Sequence, residues 1–434
     1  MIKRQALLLC GALTAAGCSA STSSTVNPDG GGPPGSTPDA STGTGSGAGS
    51  GWRAISVPVE QQQDRITAIL CSSRDACVVT TQALSGSGKV ELVSDRAVGA
   101  VLVDGDQLNG PAHAGGGLGF IGLDRTRNGV VARADVSGAY VSATGDFTKQ
   151  ASWSVVDMGT TGGDSFFLNP QVALQQGADG HWLFINYRGS VFGASSAPSP
   201  TTVWTELWSP ESLPPVPDGL EDRFAADPTL CDNEVSGGTF PQMAQNAVIS
   251  QDLKLAIAPS GGLNQRGTAA PGVCISTDGG TNFYQVPFTG VRHDTDANGP
   301  NAVTCLDSNR CFAFNGVQFQ DGSSWVYYTN NALLGKASTW TRATVPASWG
   351  TTTTEHPTAI FFAPDGMHGW IAGNSDNHAM LLRTTDGGHS WTDVSGQVAA
   401  LTENQLIAGF ALDNDHIWVT GERGTLLATD TASQ

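Results

Sequence analysis

Two segments of the chain, VCISTDGGTNFYQV at Val273–Val286 and LLRTTDGGHSWTDV at Leu381–Val394, share one frame. Each reads Ser/Thr-x-Asp-Gly-Gly-x-x-aromatic between stretches of alternating apolar residues, carried by Ser276, Asp278, Gly280 and Phe283 in the first and by Thr384, Asp386, Gly388 and Trp391 in the second. No other feature restricts the fold as much. Alternation on both sides describes two strands, because successive side chains of a strand point to opposite faces. The glycines supply the positive φ of a tight reversal. The Asp carboxylate can accept backbone N–H groups inside its own loop. Asp278 and Asp386 therefore read as turn braces, not as catalytic acids.

Looser copies follow once this frame is known. YVSATGDFTKQASWSVVDM at Tyr140–Met158 parallels YYTNNALLGKASTWTRATV at Tyr327–Val345, and VFGASSAPSPTTVWTELW at Val191–Trp208 is a third. Trp153, Trp204, Trp340 and Trp391 then hold corresponding positions, with Phe283 in a fifth copy. The chain ends in HIWVTGERGTLLATDT, a copy that stops before its aromatic strand. The missing piece lies at the other end, where GWRAISVPV at Gly51–Val59 looks like SWTDVS. The N-terminal strand is expected to complete the last unit, which removes the open sheet edge.

The Asp-Gly-Gly frame resembles the Asp-box, or BNR repeat, of sialidases, sortilin-like receptors and photosystem assembly factors. In those families the box is a hairpin turn on the outer rim of a β-propeller blade, with the aromatic packed back between blades. The resemblance implies an all-β propeller over residues 52–434, and counting the units along the chain makes it seven-bladed. Its inner strands start near Arg65, Gly117, Phe166, Gln242, Ala302, Thr358 and Leu406. Six or eight blades stay open, because the units near residues 80–115 and 210–260 are poorly defined. The proline-rich stretch Ser209–Cys231 reads as an insertion over one face.

The N-terminus reads as a targeting segment. Lys3 and Arg4 precede a short apolar stretch, Ala6–Ala16, too short to span a bilayer. Ala16 and Gly17 precede Cys18, which resembles the lipobox of bacterial lipoproteins; Ala15 stands where that family usually has Leu. The resemblance implies a signal peptide at 1–17, diacylglycerol on the Cys18 thiol, and, with Ser19 and no Asp after it, attachment to an outer membrane. An ordinary secretory signal is the alternative. Residues 18–51 hold Ser, Thr, Gly, Pro and Asp and almost nothing apolar, the composition of a disordered tether. Such a segment reaches about 30 Å.

Of the eight cysteines, Cys10 falls within the signal peptide and Cys18 is the lipidation candidate; the other six, an even number in an exported chain, favour disulfides. ILCSSRDACVVT and VTCLDSNRCFAF each place two cysteines across a tight turn, pairing Cys71 with Cys77 and Cys305 with Cys311. That spacing is wide for a zinc knuckle and no His follows at ligand distance. Cys231 and Cys274 are left to pair with each other.

Chemical signals are few. The sialidase resemblance would bring an arginine triad, a Tyr-Glu pair and an Arg-Ile-Pro motif, but Arg65-Ile66 is followed by Thr67, and none of those catalytic residues transfers to a position here. Neither Gly-x-Ser-x-Gly nor His-Glu-x-x-His occurs. Paired carboxylates from different blades, as a glycoside hydrolase needs, cannot be picked out by spacing. DTDANGPN at Asp294–Asn301 sets Asp294, Asp296 and Asn298 at alternate positions before a glycine, the start of a calcium loop, but Cys305 stands where a bidentate Glu is needed. No other cofactor is expected. A net charge of −18 disfavours nucleic acid and anionic lipid surfaces as partners. The expected role is a non-catalytic protein- or glycan-binding module; the alternative is a glycoside hydrolase with carboxylates in the propeller cleft.

Overall fold

The computed structural model describes residues 51–57, 64–82, 88–94, 96–104, 120–127, 129–134, 138–142, 146–157, 171–186, 191–197, 201–208, 247–260, 272–289, 302–315, 325–347, 349, 356–375 and 378–431. The signal peptide, Cys18, the tether up to residue 50, Cys231 and the candidate calcium residues Asp294, Asp296 and Asn298 lie outside them.

The strands assemble into seven four-stranded antiparallel sheets, the blades of a seven-bladed β-propeller. Strand β1 (Trp52–Ala54) comes first in sequence and last in the ring. Blade 1 comprises β2 (Arg65–Ser73), β3 (Ala76–Gln82), β4 (Gly88–Val93) and β5 (Val98–Asp104). Blade 2 comprises β6 (Phe120–Thr126), β7 (Gly129–Ala134), β8 (Gly138–Ser142) and β9 (Trp153–Asp157). Blade 3 comprises β10 (Gln171–Gln176), β11 (Trp182–Asn186), β12 (Val191–Ala194) and β13 (Thr205–Trp208). Blade 4 comprises β14 (Val248–Ile249), β15 (Ala256–Ser260), β16 (Gly272–Ser276) and β17 (Tyr284–Pro287). Blade 5 comprises β18 (Ala302–Cys305), β19 (Cys311–Asn315), β20 (Trp325–Thr329) and β21 (Thr341–Arg342). Blade 6 comprises β22 (His356–Phe362), β23 (Gly369–Ser375), β24 (His378–Thr384) and β25 (Thr392–Asp393). Blade 7 takes β26 (Leu406–Ala411), β27 (Ile417–Gly421) and β28 (Leu426–Thr429) from the C-terminus and β1 from the N-terminus.

The inner strands start close to the expected points, and at the expected residue for Arg65, Ala302 and Leu406. Ring closure also follows the expectation. Trp52 pairs with Thr429, Arg53 with Ala428 and Ala54 with Leu427. Because sheet edges are aggregation-prone, joining the two chain ends in one blade is how the ring leaves none open along its seam.

Seven apolar clusters hold the body together, one at each junction between neighbouring blades. A single strand feeds two of them. In β24, Ala379 and Leu381 face blade 7 while Met380 and Leu382 face blade 5. This is why a middle strand such as β24 reads as a nearly continuous apolar run: buried on both faces, it has no polar side to alternate with. The last junction joins Trp418, Leu426 and Ala428 of blade 7 to Ile66, Cys71 and Val79 of blade 1, with Ile55 and Val57 added from the segment after β1.

Candidate functional site

Antiparallel order within each blade fixes which connections share a face. The turns between first and second strands, and between third and fourth, lie at one end of the blade. The connections from second to third strand, and onward to the next blade, lie at the other. We call the first the turn face and the second the loop face. The chain enters β1 and leaves β28 at the turn face, where Gly51 sits against Thr431.

Both strong repeat turns are braced by one network. In blade 6 the Thr384 hydroxyl donates to Asp386 Oδ1 at 2.7 Å and accepts the N–H of Gly388 at 3.0 Å. Asp386 accepts the N–H of Ser390 at 2.9 Å and its hydroxyl at 2.5 Å. In blade 4 the Ser276 hydroxyl donates to Asp278 Oδ1 at 2.8 Å and accepts the N–H of Gly280 at 2.9 Å. Asp278 accepts the N–H groups of Thr281 and Asn282 at 3.2 and 3.0 Å, and the Asn282 amide at 2.6 Å. Blade 5 repeats the network with an amide in place of the carboxylate. Asn331 Oδ1 accepts the Thr329 hydroxyl at 2.8 Å and the Thr339 N–H at 2.9 Å. The sequence frame missed it because an inserted 3₁₀ segment, Ala332–Ala337, separates Asn331 from Trp340.

The repeat aromatic after each turn seals the junction with the preceding blade. Phe283, Trp340 and Trp391 do so for blades 4, 5 and 6, Trp204 for blade 3 and Trp52 for blade 7, while Trp153 packs partly buried at blade 2. The Trp391 indole donates back to Gly388 O at 3.1 Å and the Trp153 indole to Phe147 O at 2.9 Å.

A second family of turns, not anticipated from the sequence, joins first and second strands on the same face. Asp307 accepts the N–H groups of Asn309 and Arg310, each at 2.8 Å, and Arg310 Nε at 2.7 Å. Asp365 accepts those of Met367 and His368 at 2.9 and 3.0 Å and contacts His368 Nδ1 at 2.6 Å. Asp413 does the same with Asp415 and His416, and Asp179 with His181. The signal was in the sequence: ADGHW, PDGMHGW and DNDHIW each set an Asp two or three residues before His, ahead of a strand tryptophan. These turns also touch around the ring. Ser308 of blade 5 donates to Asp252 of blade 4 at 3.4 Å, Arg127 of blade 2 donates to Ala178 O of blade 3, and Asn414 of blade 7 bonds Asp365 of blade 6.

The electrostatics of these carboxylates point one way. Partial burial pushes Asp278 and Asp386 up, but the donors of their own turns outweigh it and hold both below the usual carboxylate range. Asp252, Asp307, Asp365 and Asp413 follow the same balance, and the exposed Asp146 and Asp179 are lowered mainly by donors from Lys149 and His181. Every resolved carboxylate shift among the described residues is therefore downward, toward an ionised acceptor and away from a general acid.

A carboxylate whose folded pKa is depressed contributes stability above its unfolded value, lost as pH falls through the folded one. The melting temperature is expected to hold from neutral pH to about 5 and to decline below about pH 4, near the unfolded carboxylate pKa. Asp386→Ala is expected to cost about 1 kcal/mol or more in denaturant unfolding at pH 7, through the unpaired Ser390 N–H. A stability loss already under way between pH 7 and 6 would assign the transition to histidines instead.

Two disulfides cross directly opposed residues, Cys71–Cys77 between β2 and β3 and Cys305–Cys311 between β18 and β19. Cys274 is also disulfide-bonded, and lies in the junction of blades 3 and 4. Among the described residues no group of three His, Cys, Asp or Glu side chains is placed to hold a metal ion.

No protein-family model and no curated protein matches the chain. Solved structures do. The chain is similar to YCF48 from Cyanidioschyzon merolae at 12% identity, with a TM-score of 0.54, covering 87% of this chain and 98% of that one. It is similar to YCF48 bound to D1 peptide at 11% identity and TM-score 0.53, covering 88% and 97%. It is similar to the GH74 xyloglucanase from Xanthomonas campestris at 13% identity and TM-score 0.51, covering 88% of this chain but 53% of that one. At these identities the likeness is one of fold: the class is the seven-bladed β-propeller.

Proposed function

We propose that this chain is an exported, lipid-anchored β-propeller acting as a non-catalytic binding module for a protein or glycan. The observation that carries the reading is the use made of the carboxylates. Those with resolved shifts are held ionised by their own turns, as structural braces, whereas glycoside hydrolysis needs one acid kept protonated near neutral pH. The fold is shared with YCF48, of which one structure holds a D1 peptide, so propellers of this shape include peptide binders. Attachment through Cys18 to an outer membrane is part of the same proposal and rests on the lipobox resemblance. The fold is shared as well with a GH74 xyloglucanase, which makes hydrolysis of a glycan the competing reading.

The test is a glycan and peptide array probed with the soluble body from residue 51 onward, followed by mass analysis of each retained ligand. The expected result is a ligand retained with its covalent structure unchanged. Release of shorter saccharides from a retained glycan would replace this reading with hydrolysis.

A further inference from the structure

The disulfides Cys71–Cys77 and Cys305–Cys311 stand at equivalent turns, between the first and second strands of their blades, in unlike surroundings. The blade 5 turn is braced twice. Asp307 accepts the N–H groups of Asn309 and Arg310 and the Arg310 side chain, and Asn309 O takes the Ala332 N–H at 3.0 Å. Cys305 is only half-buried. These bonds hold that turn with or without the S–S link.

Blade 1 is built otherwise. Its turn sets Arg74 and Asp75 between the paired Ser73 and Ala76, and Ser72 Oγ donates to Ala76 O at 3.3 Å. Cys71 and Cys77 are 1% and 0% exposed. They lie inside the junction of blades 7 and 1, among Ile55, Val57, Trp418 and Ala428. Ile55 and Val57 follow β1, the strand that closes the ring. At the tip, Arg74 reaches Asp430 at 3.4 Å, and Arg53 of β1 reaches the other oxygen of that carboxylate at 3.6 Å. Asp430 directly follows β28. One disulfide-held hairpin therefore meets the N-terminal strand and the end of the last strand together.

We propose that Cys71–Cys77 is a redox latch on the ring seam: its reduction loosens blade 7 from blade 1 and frees β1, whereas reduction of Cys305–Cys311 leaves the ring closed. A dithiol carries out the step. One of its thiolates attacks a cysteine sulfur, forming a mixed disulfide and releasing the other cysteine as thiolate. Its second sulfur then displaces the first cysteine. Cys71 and Cys77 end as thiols with the two protons the dithiol gives up, and the dithiol ends as its cyclic disulfide. Two thiols need more room than one disulfide, and a close-packed junction has little to give. The hairpin tip also regains freedom, so Arg74 no longer fixes Asp430. The other end of the seam is pinned separately: Thr420 Oγ1 donates to Ile66 O at 3.0 Å and Arg65 meets Glu422 at 3.3 Å. Opening is thus confined to the end where β1 begins. The coupling is a property of the folded chain and holds whether or not that chain is exported.

Hydrogen exchange read by mass spectrometry on the full-length chain tests it. In Cys71→Ala/Cys77→Ala, exchange of peptides covering 52–57 and 426–429 is expected to rise about tenfold or more; in Cys305→Ala/Cys311→Ala it is expected to stay within about twofold of the parent. Peptides of blade 4 covering 256–260 are the reference and are expected to be unchanged in both. An equal response to the two double variants overturns the proposal, as does a rise confined to 65–82. A second measurement needs no cysteine variant. The parent is treated with dithiothreitol and its new thiols are trapped by alkylation. Asp430→Asn, which weakens the clamp, is expected to speed the appearance of Cys71 and Cys77 thiols several-fold and to leave the rate at Cys305 and Cys311 unchanged. An unchanged rate at Cys71 and Cys77 would show that the latch and the seam are independent.

Discussion

Replacing Trp52 with Ala is expected to lower the unfolding free energy by about 3–5 kcal/mol, the range for truncating a fully buried tryptophan. The side chain is 2% exposed and packs among Trp370, Leu381, Val398 and Leu427, at the junction of blades 6 and 7. Its indole donates to Gln397 Oε1 at 3.2 Å. Position matters as much as area. Strand β1 has three residues, and its ladder with β28 is what joins the two ends of the chain into one blade. Loosening it frees Ile55 and Val57 from the junction of blades 7 and 1 and uncovers the edge of β28. Trp52→Phe, which keeps most of the buried area and loses the hydrogen bond, is expected to cost about 1 kcal/mol. Denaturant unfolding checks both, with Val203→Ala as a surface control expected within about 0.5 kcal/mol of the parent. A Trp52→Ala loss no larger than that control would mean that β1 does not close the ring.

That closure was legible in the sequence because the two half-copies, Gly51–Val59 and the C-terminal HIWVTGERGTLLATDT, complete one another. The blade starts were legible for a similar reason: each inner strand begins a new apolar alternation. They were least sharp at blades 3 and 4, where the expected Phe166 and Gln242 precede the observed Gln171 and Val248. There the lead-in is rich in Gly, Pro and polar residues that give no period. The Asn331 brace was hidden because the motif was read by residue type, while the turn needs only a side-chain oxygen two residues beyond a hydroxyl. The Asp–His and Asp–Arg turns were hidden because an Asp followed two or three residues later by His or Arg is no motif in a single copy. Their repetition appears only when blades are superposed. Function is the least legible part. The chemistry of a propeller comes from residues of several blades meeting at one face, and spacing along the chain does not encode that meeting.

Gly388→Ala is expected to cost about 2–5 kcal/mol, and its neighbour Gly387→Ala only about 1–2, although both glycines have positive φ. Gly387 sits at φ 74°, and a Cβ there would meet Gly366 O at 3.4 Å and Met367 Sδ at 3.6 Å. Those are ordinary contacts, so the cost is that of holding an L residue in the left-handed region. Gly388 sits at φ 86°, and a Cβ there would lie 2.4 Å from Phe312 Cε1 and 3.2 Å from Phe362 Cζ. Phe312 stacks on the half-buried Phe362 with centroids 4.8 Å apart and is itself 2% exposed, so the Phe312 ring, the nearer of the two, cannot swing into solvent. The second glycine thus carries an overpacking cost in addition to the backbone cost. The same asymmetry recurs in blade 4. A Cβ on Gly279 would meet only Leu253 O at 3.5 Å, whereas one on Gly280 would lie 2.7 Å from Val191 Cγ1 of blade 3. The paired glycines of the repeat therefore answer two demands: the first turns the chain, and the second also lets the turn lie flat against the preceding blade. Urea unfolding of the two alanine variants separates these demands. Equal losses would show that the stack of Phe312 and Phe362 yields freely, and that both glycines serve the backbone alone.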